Sequence, residues 1–102
     1  MKYQLVLQFT AASLEDFDRL VELEEELIRG LDDLGTVDGH DFRFGEFNIF
    51  ILTDHPAKSF DKAHRIVTNE SVPNAMRSAY REVGGEDYVI LWPSSLEEFS
   101  VL

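Results

Sequence analysis

HDFRFGEFNIFILTDHP, residues 40–56, places two aromatic-rich runs on either side of Gly45-Glu46. A glycine between two runs of strand-forming residues signals a hairpin, so the stretch predicts antiparallel strands joined by a two-residue turn at Gly45-Glu46. The second run, FNIFILT, is apolar at odd and even positions alike. A strand with one wet face alternates and a strand covered on both faces does not, so residues 47–53 are expected in the middle of a sheet. Pro56 suits the first turn of a helix, where its fixed φ fits and its missing N–H is not needed.

Working back from the hairpin, residues 2–10 alternate, with Tyr3, Leu5, Leu7 and Phe9 on one face and Lys2, Gln4, Val6 and Gln8 on the other. That is the pattern of a half-buried strand. Ser13 offers an N-cap with Asp16 three residues on, and acids follow where the helix dipole favours them. Leu14, Phe17, Leu20, Val21, Leu27, Ile28, Leu31 and Leu34 then fall on one broad arc, which predicts a helix to about Gly30 or Gly35. Gly35, Asp38 and Gly39 mark a loop.

Forward of the hairpin, Phe60, Ala63, Ile66 and Val67 give the helix from Pro56 an apolar side, and TNES (68–71) interrupts it. Ser71 can cap a further helix with Pro73 in its first turn and Val72, Met76, Ala79, Tyr80 and Val83 as its stripe. Gly84-Gly85 ends it, and EDYVILW (86–92) is a last strand closed by Pro93. The expected order is β-α-β-β-α(α)-β: an α+β, ferredoxin-like single domain over residues 1–102, with a four-stranded antiparallel sheet and its helices on one face.

The bulk numbers bound the chemistry. Among 102 residues, 44% are apolar and none is cysteine, which suits one packed domain and excludes a disulfide frame, a thiolate zinc site and a cysteine nucleophile. MKYQLVLQF is too short and too interrupted for a signal peptide or a membrane span, so a cytoplasmic protein that does not engage membranes is expected. The charge is 9 basic against 20 acidic residues, a net of −11. Residues 13–35 carry nine acids and two bases, a net of −7, whereas residues 56–83 carry five bases and three acids, a net of +2. An acidic first helix argues against nucleic acid, since phosphate contacts need clustered Lys and Arg. It solubilises the chain, and could also steer it toward a basic protein partner.

GEFNIFILTDHP, with AYREVGGEDYVILWP downstream, resembles the signature of a small family of uncharacterised bacterial proteins, with Phe44 standing where that form has a small residue. The resemblance implies a free-standing bacterial domain and no particular activity.

Candidate sites are few. With the turn at Gly45-Glu46, His40 would face Ile51 and Asp38 would face Thr53, gathering Asp38, His40, Asp54 and His55 at one end of the sheet. Histidines with carboxylates can ligate a divalent ion or exchange protons near neutral pH. Turn formation and helix capping account for the same residues, and no H-E-x-x-H spacing, phosphate loop or nucleophile elbow occurs. No catalytic residue, metal or cofactor is therefore assigned. His64 sits beside an apolar arc as a packing histidine. Arg43 points away from the Phe42 and Phe44 rings and forms a polar row with Glu46 and Asn48, able to meet a carboxylate or to charge an edge strand.

Two features call for partners. Glu24 falls near the middle of the apolar arc, and burying it unpaired would cost several kcal/mol; a structural pairing, to His64, Arg65 or Arg81, is expected. The second face of the sheet also carries large apolar residues, which must be covered by SSLEEFSVL (94–102) or by a second copy. The sequence thus reads as a small acidic interaction domain, expected to form a homodimer through the open sheet face. The alternatives are a small enzyme or metal-binding domain on the Asp38/His40/Asp54/His55 cluster, and a protein of the immunity type that binds a basic toxin.

Overall fold

A computed structural model describes residues 1–101 of the chain. The elements run β1 (Tyr3–Thr10), α1 (Leu14–Gly30), a short 3-10 turn (Asp32–Leu34), β2 (Thr36–Arg43), β3 (Glu46–Thr53), α2 (Pro56–Asn69), β4 (Met76–Glu82) and β5 (Val89–Trp92). The strands form one five-stranded sheet in the order β2-β3-β1-β4-β5, and every neighbouring pair is antiparallel. The class is α+β.

β1 is hydrogen-bonded along both edges, to β3 and to β4. Its alternation sends Leu5, Leu7 and Phe9 to the helical side, where they join Phe47, Ile49 and Ile51 of β3 in one core. α1 contributes Leu20, Leu23 and Leu27 to that core, and α2 contributes Phe60, Ala63 and Val67. Each fully buried Leu or Phe of this set is worth roughly 1.5–3 kcal/mol relative to exposure. The start of α1 follows from its sequence: Asp16 N–H donates to Ser13 Oγ at 3.1 Å while Asp16 Oδ2 accepts from Ala12 N–H at 3.0 Å. Two donors at the helix start are thereby satisfied reciprocally. Leu14 and Ile28, at the margins of the apolar arc, remain 77% and 54% exposed, because an arc that wide is more than one sheet can cover.

Three expectations are corrected. The hairpin turn is Phe44-Gly45, with Arg43 opposite Glu46 and His40 opposite Ile49. Both turn residues have positive φ, 50° for Phe44 and 76° for Gly45, the two-residue turn whose twist matches the strands it joins. Secondly, residues 76–82 form β4 and not a helix. The stripe Val72, Met76, Ala79, Tyr80, Val83 has helical spacing, but MRSAYRE alternates just as well, and the small Ser78 and Ala79 discriminate poorly. The free edge of buried β1 decides between them, since its N–H and C=O groups need partners. β4 supplies them in the register Leu5–Tyr80, Leu7–Ser78, Phe9–Met76, and Asn74 Nδ2 donates to Thr10 O at 2.7 Å just before the strand begins. Thirdly, the sheet has five strands where four were expected, because residues 76–82 add a strand, and VILW, part of the expected last strand, pairs outside it as β5.

Candidate functional site

Glu24 lies on the core-facing side of α1, 8% exposed, and its partner is on β2. His40 Nδ1 stands 2.9 Å from Glu24 Oε1. Against an ionised carboxylate, which can only accept, Nδ1 carries the proton and donates. The expected partners His64, Arg65 and Arg81 are engaged elsewhere: His64 packs against Phe60 and Trp92, Arg65 Nε donates to Asp61 O, and Arg81 donates to Gln4 Oε1 and Gly85 O. The imidazole is oriented by aromatic contacts, stacked on Phe47 at 4.7 Å between centroids and edge-on to Phe17 at 6.1 Å. Glu24 Oε2 is buried and meets no hydrogen-bonding group among the described residues. A carboxylate–imidazole pair can orient a histidine for proton transfer, but here it joins a helix to an edge strand.

The other cluster residues go elsewhere. Asp38 sits at the irregularity in β2 between Val37 and Gly39. Asp54 Oδ1 accepts from Lys2 N–H at 3.0 Å, joining the end of β3 to the start of β1. His55 is the N-cap residue of α2, and its backbone N–H donates to Thr53 Oγ1 at 2.9 Å. Among the described residues no group of three or more His, Asp or Glu is placed to hold a metal ion. The structure brings His40 to Glu24 and not to the other three.

On the second sheet face, a row of side chains crosses three strands. Asn48 Nδ2 donates to Asp41 Oδ1 at 3.0 Å, and Gln8 Nε2 donates to Asn48 Oδ1 at 2.9 Å and to Ser100 O at 3.0 Å. Gln8 and Asn48 are each 1% exposed and Val6 is 0%. Residues 93–101 reach across this face: Ser100 accepts from Gln8, and Phe99 packs against Tyr88 at 5.0 Å. Arg77 pairs with Glu46 beside the row, at a cleft also lined by Glu98, Phe99 and Ser100. The polar row expected around Arg43, Glu46 and Asn48 thus exists in another form, with Gln8 and Asp41 as the residues that engage Asn48.

A feature absent from the sequence reading lies where the hairpin tip meets the start of α1. Ala11 N–H donates to Gly45 O at 2.9 Å, fastening the tip to the β1–α1 connection. Beside it an apolar cleft of about 430 Å³ is lined by Ala11, Ala12, Ser13, Leu14, Phe17 and Phe42. Phe42 is 45% exposed and Phe44, at the tip, 84%. Leu14 also borders an adjoining cleft with Glu15, Asp18, Arg19 and Glu22. The signal in the sequence was Phe44 itself, a large apolar residue at a turn position that favours Asn, Asp or Gly.

No family model and no curated protein matches the chain. No helix among the described residues is long and apolar enough to cross a membrane.

Proposed function

We propose that the chain is a small acidic interaction domain that recognises a basic protein partner. The observation that carries this reading is the outer face of α1. Glu15, Asp18, Glu22 and Glu25 are all exposed, and their spacing of three, four and three residues puts them on one helical stripe. Among the described residues none of the four enters an ion pair. Unpaired charge of one sign raises the on-rate of a complementary partner, as an acidic protein that neutralises a basic toxin would require. Three of the polar residues first suspected of chemistry are engaged in holding the fold: Glu24 with His40, and Asp54 with Lys2.

The arrangement favours the ferredoxin-like description, with β2-β3-β1-β4 as its sheet, α1 and α2 as its two crossovers and β5 as an added edge strand. A cytoplasmic bacterial domain fits a sequence without cysteine and the resemblance of its hairpin motif. Self-association through the second sheet face is the alternative reading, supported by half-buried Phe50 and Leu52 on that face, and it requires the second copy to share the face with residues 93–101. The immobilised chain, exposed to the soluble proteins of its native cell at rising salt, should retain species rich in Lys and Arg that elute as screening increases. A retained set without basic excess sinks the proposal, and recovery of the chain alone shifts the choice to self-association.

A further inference from the structure

We infer that the apolar cleft at the hairpin tip and the acidic stripe of α1 form one docking surface for a lysine- or arginine-rich amphipathic segment of a partner protein; this rests on the basic-partner reading above and assigns it a place. Leu14 belongs to both the apolar cleft and the acidic one, so the two are continuous. Leu14, Phe42 and Phe44 are 77%, 45% and 84% exposed, an unusual concentration of bare apolar side chains at one end of a small domain. Phe44 is the most telling of them. It holds a left-handed turn position, φ 50°, that Asn or Gly adopts more easily, and its ring gains no burial in return. Backbone strain kept at an exposed side chain points to a use outside the fold.

Charge selects the occupant. From Glu15 to Glu25 the stripe rises about 15 Å, so a segment of roughly 10 helical or five extended residues spans it, and a few more reach the apolar end. A partner with apolar anchors for the Leu14–Phe42–Phe44 end and basic residues along the stripe would satisfy both halves at once. A second copy is the poorer occupant, because each chain carries a net charge of −11 and two copies repel.

The probe is a synthetic amphipathic lysine–leucine peptide of about 15 residues, titrated calorimetrically against the whole chain at low and moderate salt. Three variants, each checked for folding by circular dichroism, locate the site. Glu15→Gln/Asp18→Asn/Glu22→Gln removes charge from the stripe, and Glu86→Gln/Asp87→Asn/Glu97→Gln removes as much from exposed positions elsewhere. Leu14→Ser/Phe44→Asn removes apolar contact at constant charge. The stripe variant and the apolar variant should each bind about tenfold more weakly, and the control variant within about twofold of the parent. Equal weakening by stripe and control variants, or parent-like binding by the apolar variant, overturns the site while leaving a basic partner possible elsewhere. Absence of binding by the parent removes the basic-partner reading itself. Sedimentation of the parent should show a monomer; a dimer that Leu14→Ser/Phe44→Asn dissociates would make a second copy the occupant and overturn the assignment.

Discussion

Replacing His40 by Phe keeps an aromatic ring over Phe47 and removes the donor that faces Glu24 Oε1. The Glu24 side chain is 10% exposed and its other oxygen, Oε2, has no protein hydrogen-bond partner, so little water can take the donor's place. A buried charged acceptor left without its hydrogen bond costs about 1.5–3 kcal/mol. The His40 side chain is 30% exposed, which puts the expected loss near the middle of that range, about 2 kcal/mol. For a domain of this size that lowers Tm by roughly 8–16 °C. Glu24→Leu should behave oppositely. It removes the orphaned oxygen together with the paired one, keeps most of the side-chain volume, and should leave stability unchanged or raised by about 1 kcal/mol. In the double variant the His40→Phe substitution has nothing left to disrupt, so the coupling energy should be about 2 kcal/mol. Urea unfolding followed by far-ultraviolet circular dichroism measures all three variants, with the slope m shared among them. Two results would refute the reasoning: His40→Phe within about 0.5 kcal/mol of the parent, or Glu24→Leu destabilised by more than about 2 kcal/mol.

A Cβ added at Gly35 would lie 2.8 Å from both Ile51 Cγ2 and Ser59 Oγ. Because Ile51 is a stiff β-branched residue in the sheet, Gly35→Ala should cost about 1–3 kcal/mol in denaturant midpoints. Gly30→Ala meets chiefly the flexible end of Ile66, at 2.7 Å, and should come out near neutral once the gain of up to about 1 kcal/mol in helix propensity is included; equal losses at the two glycines would contradict the contrast. Phe44→Asn relieves a left-handed strain of about 1–2 kcal/mol, so the variant should melt higher than the parent, and a lower Tm would show that the ring supports the fold. Deleting residues 96–102 bares Val6, Gln8 and Asn48 and should destabilise the chain by about 2 kcal/mol or more while promoting self-association detectable by sedimentation. A truncated chain that stayed monomeric at full stability would rule out the covering role of that segment.

Local chemistry was legible wherever one side chain and its near neighbours decide the outcome. The cap at Ser13, the alternation of residues 2–10, the helix after Pro56 and the central place of FNIFILT each follow from short-range pattern. The hairpin was legible as a hairpin, but its turn was not: Gly45 can occupy either central position, and only the pairing of Phe42 with Phe47 puts Phe44 at a positive φ. That shift of two in register kept residues 40–43 on their expected faces and moved His40 from Ile51 to Ile49, while the irregularity between Val37 and Gly39 turned Val37 to the core. The expected cluster failed because it was built on the other register, and because the Asp54 carboxylate takes the Lys2 backbone N–H at the strand end.

By itself the sequence determined an α+β chain with a hairpin at its centre, an acidic first helix, and a buried glutamate in need of a partner. Those properties depend on periodicity and composition, which neighbouring residues carry. The tertiary structure decided which residue meets Glu24, whether residues 76–82 are helix or strand, and that residues 93–101 lie over the second sheet face. Each depends on groups far apart in sequence that compete for the same place. A free edge on β1 outweighs a helical stripe, and an imidazole set by Phe47 on an edge strand reaches a carboxylate sixteen residues away.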